Sequence, residues 1–176
     1  MRTIFALATA SLLAIAGCNP PSHGHAHGQG ANTAAEASGP DAELAEVARI
    51  HGGAGPWAVA GYRMGKHALA KLGLSKQSFA LEVTHRSPRA VQYTCIADGA
   101  SASTGASVGK LNLSLEVADE AHVETTYRNK TTGASVTLRP SAAFVARFKD
   151  VPRQELAEAG RKVLGLPDPE VFEEVR

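Results

Sequence analysis

The sequence contains little cysteine, few aromatic residues and no excess of charge of either sign. Only two cysteines occur, Cys18 and Cys95, so a disulfide-rich fold is excluded. The 18 Lys and Arg residues nearly balance the 17 Asp and Glu residues and are mixed with them along the chain, which excludes the basic surface of a nucleic-acid-binding protein. With five Phe, three Tyr and one Trp, the core is predicted to consist mainly of Leu, Val and Ala.

The N-terminus has the pattern of a bacterial lipoprotein precursor. Arg2 precedes an apolar run over residues 4–16 that is too short to cross a bilayer as a helix, and this combination is typical of an export signal. Residues 15–18 then read Ile-Ala-Gly-Cys, which is the lipobox form. We therefore expect residues 1–17 to be a signal peptide and Cys18 to carry acyl chains, palmitate among them, that anchor the protein on a membrane. An ordinary signal peptide that contains Cys18 by chance is the alternative.

A polar segment over residues 18–40 follows the expected cleavage point. It consists largely of Asn, Pro, Ser, Gly, Ala and His, with almost nothing to bury, and is predicted to be a disordered tether. Asn19, directly after the lipidated cysteine, favours the outer membrane under the sorting rule of enteric bacteria, with the domain facing the periplasm. Alternating histidines in the tether are either weak ligands for Zn, Ni or Cu or spacer composition alone: His23, His25 and His27.

Residues 41–176 are predicted to form one α+β domain with an N-terminal helix pair, an antiparallel sheet meander and closing C-terminal helices. Apolar residues recur at helical spacing after Asp41, and Pro56 suits the first turn of a second helix that Gly73 ends. Alternating patterns predict strands over residues 79–83, 111–117, 121–128 and 134–138, the last three forming the meander, and helices return at 141–148 and 153–164. Residues 88–98 are ambiguous and lead into a short helix at 99–103.

Two motifs and the C-terminal end stand out along the domain. The first motif runs from His51 to Gly65 and reads HGGAGPWAVAGYRMG. The second runs from Cys95 to Leu113 and reads CIADGASASTGASVGKLNL. The C-terminal end reads VLGLPDPEVFEEV. Together they resemble the FmdE-like family, which takes its name from formylmethanofuran dehydrogenase. Its opening motif reads approximately His-Gly-His-x-Cys-Pro-Gly and is followed by a helix with Gly-Tyr-Arg. Its second signature has Cys-x-x-Asp and then Thr-Gly-Cys/Ala-Thr and Asn-Leu, and its end has Leu-Pro-Asp-x-x-x-Phe.

The resemblance implies an α+β core that commonly forms a homodimer, with a site where the two motifs meet, often around a metal. It also implies a partner, because family members occur as subunits or accessories of molybdenum or tungsten enzymes. His51, Cys95 and Asp98 match the family's motifs and are the implied ligands for Zn or another divalent transition metal. Gly53, Gly55 and Ala106 stand where the family has His, Cys and, in many members, Cys, so the ligand set is incomplete.

Three functions remain open for the domain. The first is a membrane-anchored, periplasm-facing accessory protein that binds a metal ion or a small metal-containing cofactor. The second is a thiol- or metal-dependent enzyme with Cys95 and His51 as catalytic residues, which requires an ionised Cys95 thiol. The third is a non-catalytic dimeric interaction module with a degenerate site.

Purely structural roles are the alternative for individual residues. Without Cys18 as a disulfide partner, Cys95 is predicted to be either buried in the core or part of a functional site. His51 would then end a helix and Asp98 would begin one. Arg63 is predicted to form a structural ion pair rather than to bind an anion, and the remaining histidines of the domain are predicted to lie at the surface: His67, His85 and His122.

Overall fold

The computed structural model describes residues 39–175 and confirms an α+β domain, with helices against one face of a five-stranded mixed sheet. The helices are α1 (Pro40–His51), α2 (Pro56–Leu72), α3 (Val91–Thr104), α4 (Ala142–Phe148), α5 (Leu156–Gly165) and α6 (Asp168–Val171). The strands are β1 (Leu81–Ser87), β2 (Leu113–Val117), β3 (Glu124–Asn129), β4 (Ser135–Pro140) and β5 (Phe172–Glu174). Within this described part, no helix is both long and apolar enough to cross a bilayer. The predicted signal peptide, Cys18 and the tether histidines lie outside it.

Glycine and proline set the ends of the N-terminal helix pair, as the sequence predicts. Gly52 adopts a left-handed conformation with φ of 86° and ends α1, its N–H donating to the carbonyl of Ala48 at 2.8 Å. Pro56 begins α2, where its missing N–H costs nothing, and Gly73 ends that helix with φ of 63°. The short loop between the two helices therefore places the end of α1 beside the start of α2.

The sheet has the strand order β2-β1-β3-β4-β5, and this corrects the predicted meander. Strand β2 does not pair with β3. It lies parallel to β1, with Val83 opposite Leu113, and α3 forms the crossover between the two strands. The other neighbours are antiparallel, and among them β3–β4 and β4–β5 join strands that are consecutive in the chain, whereas β1–β3 does not. The alternating pattern of residues 111–117 identified a strand, but a pattern of that kind does not specify the neighbour with which the strand pairs.

Strand β1 begins later than predicted, and this changes which of its side chains are buried. Phe79 lies before the strand and is 72% exposed, although the sequence predicts it on the buried face. From Leu81 onward the strand alternates between buried and half-buried residues, which places His85 on the buried face with no exposed surface. The prediction of a surface histidine at this position is therefore wrong. The side chain is retained in the core because both ring nitrogens are hydrogen-bonded, to Thr125 and to the Tyr93 carbonyl.

Helices α2 and α3 pack backbone against backbone at the centre of the domain. A Cβ atom built on Gly61 would lie 2.1 Å from the carbonyl oxygen of Ile96, and one built on Gly99 would lie 1.9 Å from that of Ala58. Both distances are too short for any side chain, so glycine is required on each helix at the crossing. The close approach at Gly61 is thus a contact within the domain, and the crossing holds the start of α2 against α3.

Candidate functional site

A cavity of about 240 Å³ opens where α1 ends and where α2 and α3 begin. We call it the His51–Cys95 cleft. Its walls are mostly apolar, with His51, Gln92, Cys95 and Lys149 as the polar side chains. The lining residues are His51, Gly55, Pro56, Trp57, Ala58, Val91, Gln92, Cys95, Phe148, Lys149, Val151 and Leu156. The structure therefore brings the first histidine of one sequence motif and the cysteine of the other to a single cavity.

His51 is oriented by the carboxylate of Asp98. Nδ1 of His51 lies 2.8 Å from Oδ2 of Asp98, across the contact between α1 and α3. With Asp98 ionised, the ring donates its Nδ1–H to the carboxylate and the neutral imidazole keeps a lone pair on Nε2. Cys95 and Asp98 are three residues apart on α3 and so share one helix face. Of the three residues predicted as ligands, His51 and Asp98 are thus in contact, and Cys95 lines the same cleft as His51.

Cys95 is held as a protonated thiol in the protein alone. Its Sγ–H donates to the carbonyl of Val91 at 2.8 Å, one turn earlier on α3. Burial raises the pKa of the Cys95 thiol to about 11, and the nearby negative charge of Asp98 acts in the same direction. At neutral pH the thiolate is therefore scarce. This arrangement does not favour the enzyme hypothesis, which requires an ionised thiol.

The alkylation rate of Cys95 is expected to rise with pH toward a midpoint near 11, well above the ordinary thiol value of about 8.5. Iodoacetamide labelling of a Cys18→Ser chain, followed by mass spectrometry, measures this thiol alone. Asp98→Asn is expected to lower the midpoint, because it removes one of the two causes that raise the pKa. The same chain unfolded in urea is the control and should react with the ordinary pKa. A midpoint below about 8.5 in the folded chain would contradict the protonated thiol and restore the enzyme hypothesis.

The positions at which the family motif is incomplete do not supply further ligands to the cleft. Gly53 is exposed in the loop after α1, and Gly55 lines the cleft as the residue before α2. Ala106 is buried beyond the other end of α3, and its backbone bonds to Thr104 and Ser101. Across residues 39–175, no three His, Cys, Asp or Glu side chains are grouped so that they could hold a metal ion.

Two of the side chains that line the cleft are of donor types that a transition metal accepts. Nε2 of His51 and Sγ of Cys95 are a borderline and a soft donor, the types that Zn²⁺ accepts. A bare ion would need three or four protein ligands, whereas Asp98 is already engaged with the ring of His51. The cleft therefore offers fewer protein ligands than a free ion needs.

Three cleft residues were not predicted from the sequence: Trp57, Gln92 and Lys149. Trp57 donates its Nε1–H to the carbonyl of Phe148 at 2.9 Å and thereby holds the end of α4 over the cleft. Its position next to Pro56, at the start of α2, is the only signal that the sequence contains for this role. Lys149 follows α4 and pairs with Glu120 at 3.0 Å. Gln92 occupies the first turn of α3, in the segment that the sequence left ambiguous.

Other polar residues singled out in the sequence lie outside the cleft. Arg63 donates to the carbonyls of Val163 and Leu166 at 2.7 and 2.5 Å, and it pairs with Asp168. It therefore binds the end of α5, as the structural alternative predicts. His67 is partly exposed between two carboxylates of the C-terminal segment. His122 is exposed and pairs with Asp119 at 2.6 Å, a surface counterpart of the pair in the cleft.

Comparison with known proteins gives one family match. The family described as "FmdE, Molybdenum formylmethanofuran dehydrogenase operon" matches residues 50–173, which is more than half of the chain. The matched segment begins one residue before His51 and contains every residue of the cleft. No curated protein matches the chain.

Proposed function

The chain belongs to the FmdE family, and from this premise we propose that it is a binding protein whose His51–Cys95 cleft holds a small metal-containing cofactor. The observation that carries the proposal is the pair of donors in one cavity, with the imidazole of His51 oriented by Asp98. Carboxylate–histidine pairs of this kind are the usual support of a metal-bound imidazole, because the carboxylate fixes the tautomer and the ring orientation. The apolar walls suit the organic part of such a ligand.

The cleft residues have separate roles in this proposal. His51 would bind through Nε2 and Cys95 through Sγ, which would first lose its proton to a base or to solvent. Asp98 would accept the Nδ1–H of His51 and thereby fix the tautomer that leaves Nε2 free and the orientation of the ring. Trp57, Val151 and Leu156 would exclude water from the organic part. A divalent ion such as Zn²⁺ would supply the attachment point between ligand and protein.

The setting of this binding protein is also part of the proposal. The lipobox before Cys18 supports anchoring by acyl chains, with the tether holding the domain on the periplasmic side of the outer membrane. The proposed partners are a second copy of the chain and a metalloenzyme that receives or keeps the cofactor. The protonated thiol of Cys95 supports an accessory role rather than an enzymatic one.

Zinc bound to 2,2′-bipyridine is the probe that tests the function. Its organic ligand is apolar and carries no carboxylate, and its zinc ion keeps coordination positions free for one nitrogen and one sulfur donor. We expect 1:1 binding to a full chain that carries His23→Ala, His25→Ala and His27→Ala, measured by calorimetry. Binding should be lost in His51→Ala and in Cys95→Ala. Asp98→Asn should weaken it about ten- to hundredfold, as for other partners of metal-bound histidine.

Two controls separate the cleft from adventitious metal capture. His122→Ala removes an exposed histidine that also pairs with a carboxylate, and it should leave the affinity unchanged. Zinc without bipyridine should bind more weakly than the complex, because the cleft alone offers two donors. Equal binding of the complex by wild type, His51→Ala and Cys95→Ala would show that the metal is held elsewhere and would overturn the proposal.

A further inference from the structure

Three large apolar side chains are exposed together at one end of the domain. Phe79 precedes β1, and Val108 and Leu111 lie in the short turn before β2. The ring of Phe79 lies 5.4 Å from Nζ of Lys110, which places the two segments side by side. We call Phe79, Val108 and Leu111 the Phe79–Leu111 patch. Single exposed apolar residues are common on soluble proteins, whereas a group of them indicates a contact surface.

Leu111 is the member of the patch that the fold explains least. Its backbone has φ of 55° and ψ of 28°, in the left-handed region that glycine and asparagine adopt more readily than leucine. Its side chain is 89% exposed and therefore gains little from packing inside the domain. Glycine or asparagine would suit this backbone better, so the leucine indicates a contact outside the domain.

The loops around the patch carry positive charge only. They are residues 73–80, 105–112 and 129–134. Together they contain Lys76, Lys110 and Lys130 and no Asp or Glu. The backbone N–H of Lys130 donates to the carbonyl of Ala80 at 2.8 Å, which holds the third loop beside the patch. Lys76 pairs with Glu46 of α1, so Lys110 and Lys130 set the charge here. Apolar side chains beside lysines are typical of a surface that contacts anionic lipids.

The patch and the His51–Cys95 cleft lie at opposite ends of the helices. Helices α2 and α3 begin at the cleft and end at the loops beside the patch. Helix α1 runs the other way, because its last residue, His51, lines the cleft and its middle is joined to the patch loops by the Glu46–Lys76 pair. A helix of 12 residues is about 18 Å long, which places Pro40 well away from the cleft. The predicted tether therefore joins the domain on the side of the patch.

We propose that the Phe79–Leu111 patch is a membrane-contact surface that inserts its apolar side chains among the anionic lipids of the bilayer that holds the anchor. The contact turns the His51–Cys95 cleft away from the bilayer and toward the periplasm. The inference rests on acylation at Cys18, the part of the proposed function that brings the domain to a membrane. A flexible tether over residues 18–40 spans roughly 25 Å. A link of that length gives an effective concentration on the order of millimolar, so a weak affinity of the patch for lipid suffices.

A fluorescent probe on the patch tests this orientation. The mature, acylated protein with Leu111→Cys is labelled with the dye nitrobenzoxadiazole at neutral pH, in vesicles of phosphatidylethanolamine and phosphatidylglycerol. Only the introduced thiol reacts, because Cys18 is blocked by lipid and Cys95 is buried and protonated. We expect the emission to shift to shorter wavelength and to be quenched by lipids that carry a nitroxide on the acyl chain. The same probe at Gln154→Cys, exposed near the cleft, should show neither change.

Variants of the labelled chain separate the apolar contribution from the charge. Phe79→Ser should reduce the shift, whereas Val91→Ser removes a similarly exposed apolar side chain at the cleft and should leave the shift unchanged. Lys110→Glu combined with Lys130→Glu should reduce the shift in vesicles with phosphatidylglycerol and change it little in vesicles of phosphatidylcholine alone.

The outcomes distinguish this proposal from the function on which it rests. Flotation of the protein with the vesicles tests the anchor, and zinc–bipyridine binding tests the cleft. Equal spectra for the Leu111→Cys and Gln154→Cys probes in a protein that floats would overturn the membrane contact and leave both of these standing. A shifted emission without nitroxide quenching would also overturn it, because a second copy of the chain would then cover the patch. A protein that does not float would contradict the anchor and this proposal with it.

Discussion

Gly99→Ala is expected to lower the free energy of unfolding by about 3 kcal/mol, at the upper end of what overpacking usually costs. The added methyl group would lie 1.9 Å from the carbonyl oxygen of Ala58 and 2.6 Å from the backbone nitrogen of Tyr62. Both are backbone atoms inside α2, so no side-chain rotation relieves the contact and the two helices must separate. The better helix propensity of alanine recovers only about 1 kcal/mol of this loss. Urea denaturation of the full chain measures the difference.

Gly165→Ala is the matched control for this substitution. Gly165 is also in a helix, at the end of α5, but a Cβ atom there meets no atom within 4 Å. Its stability should be close to that of wild type, whereas Gly61→Ala, on the opposite helix of the crossing, should resemble Gly99→Ala. If Gly99→Ala is as stable as Gly165→Ala, the close crossing of α2 and α3 is wrong.

The domain is expected to lose about 3 kcal/mol of stability between about pH 6.5 and pH 4 through His85 alone. Burial lowers the pKa of His85 to about 4, against about 6.5 in the unfolded chain. Between these values the unfolded chain binds more protons than the folded one, so stability falls as the pH falls. The neutral ring is satisfied on both sides, with Nε2–H donating to Tyr93 at 3.1 Å and Nδ1 accepting from the Thr125 hydroxyl at 2.8 Å.

Urea denaturation at several pH values from about 7.5 down to about 4 measures the effect of His85. A His85→Gln chain is less stable at neutral pH but lacks the titrating ring, so its stability should fall less steeply over this range. His122→Gln removes an exposed histidine and should keep the wild-type slope. Parallel pH profiles for wild type and His85→Gln would contradict a buried neutral imidazole.

The sequence predicted the helices with clear end signals and failed where burial removes periodicity. Gly52, Pro56 and Gly73 mark the ends of α1 and α2 unambiguously. Helix α3 was recognised only in part, because its apolar and small residues are buried on several sides and no polar stripe alternates with them. His85 was missed because the predicted strand ended at residue 83, whereas β1 continues to Ser87 and its alternation points His85 into the core.

The candidate site was predictable as a set of residues but not as a cavity. The motifs placed His51, Cys95 and Asp98 together, and the helical spacing of the last two supports their common face. The role of Asp98 as the partner of His51 depends on the packing of α1 against α3, which the sequence does not specify. Gln92 was not predictable as a cleft residue, because it lies in the segment whose sequence pattern was ambiguous.

The position of β1 between β2 and β3 has a consequence for how the chain folds. Tyr127 and Val136 pair across the β3–β4 hairpin and are close in the chain, so this contact closes a short loop. Val83, by contrast, pairs with Leu113 on one side and with Tyr127 on the other. Each of these contacts closes a long loop, and the entropy cost of closing it comes before the contact stabilises the fold. The hairpin is therefore an early structure and the parallel β1–β2 pair a late one. Until β2 pairs with β1, the backbone hydrogen-bonding groups of both strands are available to other unfolded chains, which makes this the stage at which refolding competes with aggregation.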